Sequence, residues 1–189
     1  MHLDFFVQLH VTQRCNLRCR HCYQAGACEE MSAGEVFRAI DNVHGALEGW
    51  ASDHDVETSP SLHLTGGEPL LRQDLFDIVA YARDKGFSVS MMSNGVLVDP
   101  AIALRIREAG IEDVQVSMEG LERTHDEIRG RGSFRRALAG IWRLKEAGVE
   151  ANINVTVSRL NRGQVAGLIR TAAELGAGGI AFSRLVPAG

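Results

Sequence analysis

Cys15, Cys19 and Cys22 stand in the segment CNLRCRHC with the spacing C-x3-C-x2-C. Three thiolates on one short loop can hold three irons of a cubane cluster. The fourth iron then has no protein ligand, and an open position in a metal centre is where a substrate or cofactor binds. A zinc site is a second reading, with Cys28 or His21 as its fourth ligand. Zinc knuckles usually carry two paired units, however, and only Cys19 and Cys22 have that spacing. An iron–sulfur electron carrier is a third, although such carriers normally use four cysteines. Cys28 itself reads as a free loop thiol. All four cysteines fall between positions 15 and 28. A disulfide framework would spread them along the chain, so the cluster points to metal or catalysis.

A site of this kind needs a scaffold, and the rest of the chain reads as strands alternating with helices. Strands are predicted at Phe5–Val11, Ser61–Thr65, Phe87–Met92, Val114–Met118, Ala151–Val157 and Ile180–Val186. Ser32 and Glu35 form a capping box for a helix to Trp50, with Val36, Ile40, Val43 and Leu47 as its apolar stripe. The polar stretch 51–60 ends in proline and reads as a loop. Further helices are predicted over Asp74–Lys85, from Asp99 with Pro100 at its first position, over Ser133–Ala147, and after Asn161 as cap. Gly86, Gly110, Gly148 and Gly176 follow their helices and let the chain turn into the next strand. Strict alternation with β-rich apolar strands argues a parallel sheet covered by helices.

The distinctive residues all fall at the carboxyl ends of strands: CNLRCRHC, then GGEP (66–69), SNG (93–95), SMEG (117–120), SRLN (158–161) and RLVPAG (184–189). A barrel gathers those ends around one mouth, whereas an open sheet spreads some to its edges. The fold class is therefore α/β, a partial (β/α)6 TIM-like barrel of parallel strands.

With these motifs in order, the chain resembles the radical S-adenosylmethionine (radical SAM) superfamily from Phe5 to Gly189, and in THDEIRGRGSF (124–134) its peptide-modifying and cofactor-maturing (SPASM-type) members. The resemblance implies a [4Fe-4S] cluster on Cys15, Cys19 and Cys22, with S-adenosylmethionine on the open iron. It implies one-electron cleavage to methionine and a 5′-deoxyadenosyl radical that abstracts a substrate hydrogen. GGEP resembles the Gly-Gly-Glu motif, so Gly66, Gly67 and Glu68 are expected at the amino group. SNG adds Ser93 and Asn94. SMEG resembles the ribose motif Ser-x-Asp-Gly, assigning Ser117 and Glu119, with glutamate in place of aspartate. Arg129 is expected to pair the carboxylate through its two-pronged guanidinium. Asn154 and the backbone near Leu185 are expected to face the adenosine, and His21 is counted with the cofactor-binding residues. The remaining histidines, His125 among them, read as structural or surface.

By the same resemblance, residues 1–189 are expected to form a core domain cut before a C-terminal auxiliary-cluster domain. The substrate is expected to be a ribosomal peptide or protein under maturation, with small-molecule cofactor synthesis as the alternative, and the reductant a flavodoxin or ferredoxin. Composition is that of an ordinary globular protein: 189 residues, 45% hydrophobic and 23% charged, with a net charge of -4. That balance gives no electrostatic case for nucleic acid or an anionic membrane. The first ten residues carry an acid and no basic n-region, so they do not read as a signal peptide, and a cytoplasmic location is expected.

Overall fold

Strand residues of alternating character line up on two faces of one sheet. In the computed structural model, which describes residues 2–22, 24 and 29–186, that sheet has six strands. They are β1 (His2–Thr12), β2 (Glu57–Gly66), β3 (Ser88–Ser93), β4 (Asp113–Ser117), β5 (Glu150–Val157) and β6 (Ile180–Arg184). They pair in sequential order, every pair parallel. Helices α1 (Ala33–His54), α2 (Leu75–Asp84), α3 (Pro100–Ala109), α4 (Glu122–Arg129), α5 (Ser133–Glu146) and α6 (Val165–Leu175) occupy the connections. The result is a curled half-barrel, the partial (β/α)6 barrel expected from the sequence. Cys28 and Pro187–Gly189 lie outside the described residues.

Apolar residues at every second strand position form the core under the helices: Leu62, Leu64, Val89, Met91, Val114, Val116, Ile153 and Val155 are all buried. Their neighbours, among them Ser117, Asn154 and Thr156, take the concave face by the period-two rule. Residues at successive strand ends thereby collect at one mouth.

The local signals act as expected at several helix ends. Ser32 and Glu35 make the reciprocal capping box, and the Asp99 side chain accepts from the Ile102 N–H at 2.8 Å. Gly110 takes the left-handed conformation (φ 76°) that ends α3.

Three readings need correction. The polar stretch 51–60 is not a loop: α1 runs to His54 and β2 begins at Glu57. Pro60 sits inside β2, where it pairs with Phe5 of β1 only; pairing with β3 starts at Ser61. That segment is edge-like, and an edge tolerates a residue that cannot donate. Asn161 is no helix cap. A 3-10 turn (Arg162–Gln164) intervenes before α6, and the buried Asn161 side chain serves the site instead. Helix α4 was not expected; its mean composition is polar, and only His125 and Ile128 are buried on it.

Candidate active site

The cysteine loop leaves β1 at Thr12, and the Gly66–Gly67 pair at the end of β2 closes against it. Gly67 N–H donates to the Thr12 carbonyl at 2.7 Å and Glu68 N–H to the Arg14 carbonyl at 2.8 Å. A Cβ at either glycine would overlap the Thr12 or Arg14 carbonyl, and Gly66 also has φ +143°. The glycine pair is therefore required by the chain's own backbone approach, whatever ligand binds nearby.

Further contacts fix both ends of the loop. The Thr12 hydroxyl donates to Glu30 at 2.6 Å, and Arg14 grips both Glu30 oxygens at 3.1 and 3.0 Å. Buried Arg72 donates to the Val11 carbonyl at 2.5 Å and forks onto Asp74 at 2.8 and 3.0 Å. In the middle, Arg20 N–H donates to the Ile128 carbonyl at 2.9 Å, which ties the loop to the end of α4.

The SNG loop links the cysteines to GGEP. Asn94 reaches the Cys15 sulfur at 3.9 Å and donates to the Asn16 side chain at 2.7 Å, while its backbone N–H donates to Glu68 at 2.8 Å. Glu68 also accepts from the Ser93 hydroxyl at 2.9 Å and the Leu70 N–H at 3.2 Å. Its carboxyl is wholly buried, and burial pushes its pKa up against those three donors. Glu68 thus reads first as the internal brace between two loops.

Glu119 plays the corresponding part on the other side. Its Oε1 accepts from Arg129 Nε at 3.1 Å and Nη2 at 2.6 Å, and lies 3.4 Å from His21 Nε2. Its Oε2 accepts from the Thr156 N–H at 2.9 Å. Burial acts to raise its pKa, but the His21 contact and the Arg129 charge outweigh it and hold the carboxyl below its ordinary value. Asn161 donates to the Glu119 carbonyl at 2.7 Å and the Thr156 carbonyl at 2.8 Å. His125 is 1% exposed and accepts from the Glu119 N–H through Nδ1 at 3.2 Å. Burial, helped by Arg129, lowers its pKa to about 4, so it stands neutral as a structural residue.

These contacts surround a cavity of about 390 Å³, within the usual range for small-molecule clefts. Of the expected site residues, Cys15, Cys19, His21, Cys22, Gly66, Gly67, Ser93, Asn94, Ser117, Arg129 and Leu185 line it. Glu68, Glu119 and Asn154 do not: the two carboxylates lie behind the wall, and Asn154 pairs with Ser117 across β4 and β5. The sequence reading passed over Gln8, Thr65, Met92, Thr156, Ser183 and Arg184, which also line the cavity. Thr156 was within reach of the pattern, because it follows Asn154 by two on the same face. Arg129 presents the cavity with a guanidinium whose Nε/Nη2 edge is already taken by Glu119, leaving Nη1 without a partner among the described residues.

The three cysteines have free thiols on this one cavity. Burial raises the pKa of Cys15 and Cys19, and the Arg129 charge opposes it at both. No three His, Cys, Asp or Glu among the described residues converge on a single metal ion. A cubane asks for something else, one thiolate per iron around a larger body, and three cysteines spread over a shared cavity wall fit that demand.

Residues 9–172 match the family described as the radical SAM superfamily. An AdoMet-dependent heme synthase of Methanosarcina barkeri is 38% identical over 181 residues, 95% of this chain and 50% of that protein. The Fe-coproporphyrin III synthase of the same organism is 34% identical over 95% of this chain and 43% of its own length. Mycofactocin maturase MftC of Mycobacterium ulcerans is 32% identical over 95% of this chain and 47% of its own. The chain thus spans about half the length of the curated relatives it matches. Among solved structures, native anSMEcpe with bound AdoMet superposes with a TM-score of 0.79 at 21% identity, covering 98% of this chain and 52% of that one, a likeness of fold. With the C-x3-C-x2-C loop, GGEP and SMEG around the mouth of a six-stranded half-barrel, the chain belongs to the radical SAM superfamily.

Proposed function

We propose that this chain is the core of a radical SAM enzyme of cofactor biosynthesis, acting on a tetrapyrrole. The observation that carries the reading is its 34–38% identity, over 95% of its length, to heme and Fe-coproporphyrin III synthases. The family's cofactors are a [4Fe-4S] cluster and S-adenosylmethionine. Once bound, they supply a one-electron cleavage that yields a hydrogen-abstracting radical, with the electron drawn from a flavodoxin- or ferredoxin-type donor.

The chain's own residues bind and orient. Cys15, Cys19 and Cys22 would hold three irons and leave the fourth to the cofactor. Asn94 fixes the Cys15 side of the loop and Arg20 its middle. Arg129, locked by Glu119, offers Nη1 to an anionic group such as the cofactor's carboxylate. Glu119 holds the Nε/Nη2 edge, so the Nη1/Nη2 edge is the one left for such a group. Ser117 and Thr156 supply hydroxyls on the concave wall for a ribose. Glu68 and Glu119 act as positioning residues.

Peptide maturation is the second reading. It rests on the segment 124–134 and on the 32% identity to mycofactocin maturase.

The test is electron paramagnetic resonance of the anaerobically reconstituted, dithionite-reduced protein with and without S-adenosylmethionine. A [4Fe-4S] signal that changes on adding S-adenosylmethionine, and that is absent when the three cysteines become alanine, is the expected result. A signal indifferent to it would leave an electron carrier, and zinc in place of iron and sulfide would overturn the assignment. Turnover offered Fe-coproporphyrin and a mycofactocin-type precursor peptide in parallel separates the two substrate readings.

A further inference from the structure

A second cavity, of about 640 Å³, opens beside the first and shares His21, Thr156, Arg184 and Leu185 with it. Four arginines from three parts of the chain meet on its walls. Arg20 comes from the cysteine loop, Arg159 and Arg162 from the turn after β5, and Arg184 from the end of β6. Among the described residues, no aspartate or glutamate lines it. Arg20 is paired with Glu127 at 2.6 Å. Arg159, Arg162 and Arg184 have no carboxylate partner among the described residues, and all three are exposed.

This is an uneven distribution for a chain with 24 acidic and 20 basic residues. Some arginines elsewhere pair with a carboxylate, Arg14 with Glu30, Arg72 with Asp74, Arg129 with Glu119 and Arg135 with Glu122, and what sets this cavity apart is four arginines converging on one concave wall. Unopposed guanidinium groups around a concave surface attract an anion, and their forked donors suit carboxylates. The same walls carry Ile128, Val157, Leu160 and Leu185, with Leu160 49% exposed. Apolar panels with cations at the margin match a ligand that is apolar in its body and anionic at its periphery.

We propose that this cavity is the carboxylate-binding subsite for the substrate. It takes a small molecule carrying at least two carboxylates on an apolar frame, which Arg159, Arg162 and Arg184 hold. The rest of that frame reaches the shared wall at His21 and Thr156 and so faces the cysteine-lined cavity. This rests on the cofactor-biosynthesis reading above and adds to it the chemistry by which the substrate is chosen.

The test uses the 189-residue chain with its reconstituted cluster. Binding of coproporphyrin III, a tetracarboxylate, is followed by fluorescence and compared with its tetra-amide, which keeps the ring and loses the charges. The paired variant Arg159→Gln/Arg162→Gln changes two arginines that do not line the first cavity. Expected are binding of the acid with a marked salt dependence, at least tenfold weaker binding of the amide, and a similar loss in the variant. The response of the cluster signal to S-adenosylmethionine should persist in the variant, which shows that it is folded and loaded. Equal binding of acid and amide, or undiminished binding by a variant that still responds to S-adenosylmethionine, would overturn the subsite. So would competition by pyrophosphate and not by succinate, which would mark a phosphate site, or binding of a glutamate-rich peptide with coproporphyrin inert. If the unaltered protein gives no response to S-adenosylmethionine, the underlying assignment fails instead, whatever the porphyrin does.

Discussion

Removing the Glu119 carboxylate leaves the Arg129 guanidinium, the Thr156 N–H and His21 without the acceptor they share. Glu119 is 1% exposed at its side chain and Arg129 12%, so solvent cannot replace the lost partner. Breaking one half of a buried pair costs about 3–5 kcal/mol. Glu119→Leu is therefore expected to lower stability by roughly that amount in denaturant unfolding, as is Arg129→Met. The double variant should lose less than the sum of the two, since the second change removes a group already uncompensated. Fully additive losses would show that the pair does not act as a unit.

His125 gives a pH dependence with a definite sign. Its folded pKa is about 4 against an ordinary value of 6.5, because it is buried and faces Arg129 and His21, with only Glu119 and Asp126 opposing. As pH falls from 6.5 toward 4, the unfolded chain takes up a proton that the folded chain refuses. Stability contributed by the neutral ring is thus complete above 6.5 and is lost through that window, by on the order of 3 kcal/mol. His125→Asn, which keeps an acceptor near the Glu119 N–H, should flatten the slope of stability between pH 4 and 6.5. An unchanged slope would place the titration elsewhere.

At the scale of elements, two helical glycines with the same propensity should respond in opposite ways. Gly140 lies buried in α5 where a Cβ would overlap the Gly95 carbonyl, so the helix packs directly on the SNG turn. Gly45 in α1 has nothing within 4 Å. Alanine gains about 1 kcal/mol over glycine inside a helix. Gly45→Ala is expected to stabilise by about that amount. Gly140→Ala is expected to destabilise by roughly 1–3 kcal/mol through overpacking, and to disturb Asn94 beside Cys15. Thermal unfolding of both variants decides it, and a stabilised Gly140→Ala would mean that α5 has room to shift.

Across the whole molecule, protection is uneven around the half-barrel. Strands β3 to β5 have neighbours on both sides and helices over their buried residues. Among the described residues, strand β6 pairs with β5 alone, and four of its five residues are exposed. Hydrogen exchange should therefore be slowest in β3 to β5 and fast in β6, approaching that of fraying segments. Comparable protection in β6 would require a cover that the described residues do not provide. Arg184 and Leu185 at its end line both cavities, so ligand binding should slow exchange there.

The sequence by itself determined the period-two strands, the capped and glycine-stopped helices, and the order of motifs at strand ends. Those signals are local, written in residues a few positions apart. The placing of the three cysteines together was legible for the same reason, since their spacing keeps them on one short loop, and all three line one cavity. Tertiary structure decided what long-range contact alone can decide. It placed Glu68 and Glu119 behind the cavity wall, because their partners Ser93, Asn94, Arg129 and Thr156 come from other strands and loops. It turned Asn161 from an apparent cap into a buried bridge between β5 and the SMEG turn. It allowed Pro60 within a strand, since β3 begins to pair only one residue later. And it gathered Arg20, Arg159, Arg162 and Arg184 on one surface, although more than 130 positions of chain separate the first from the second.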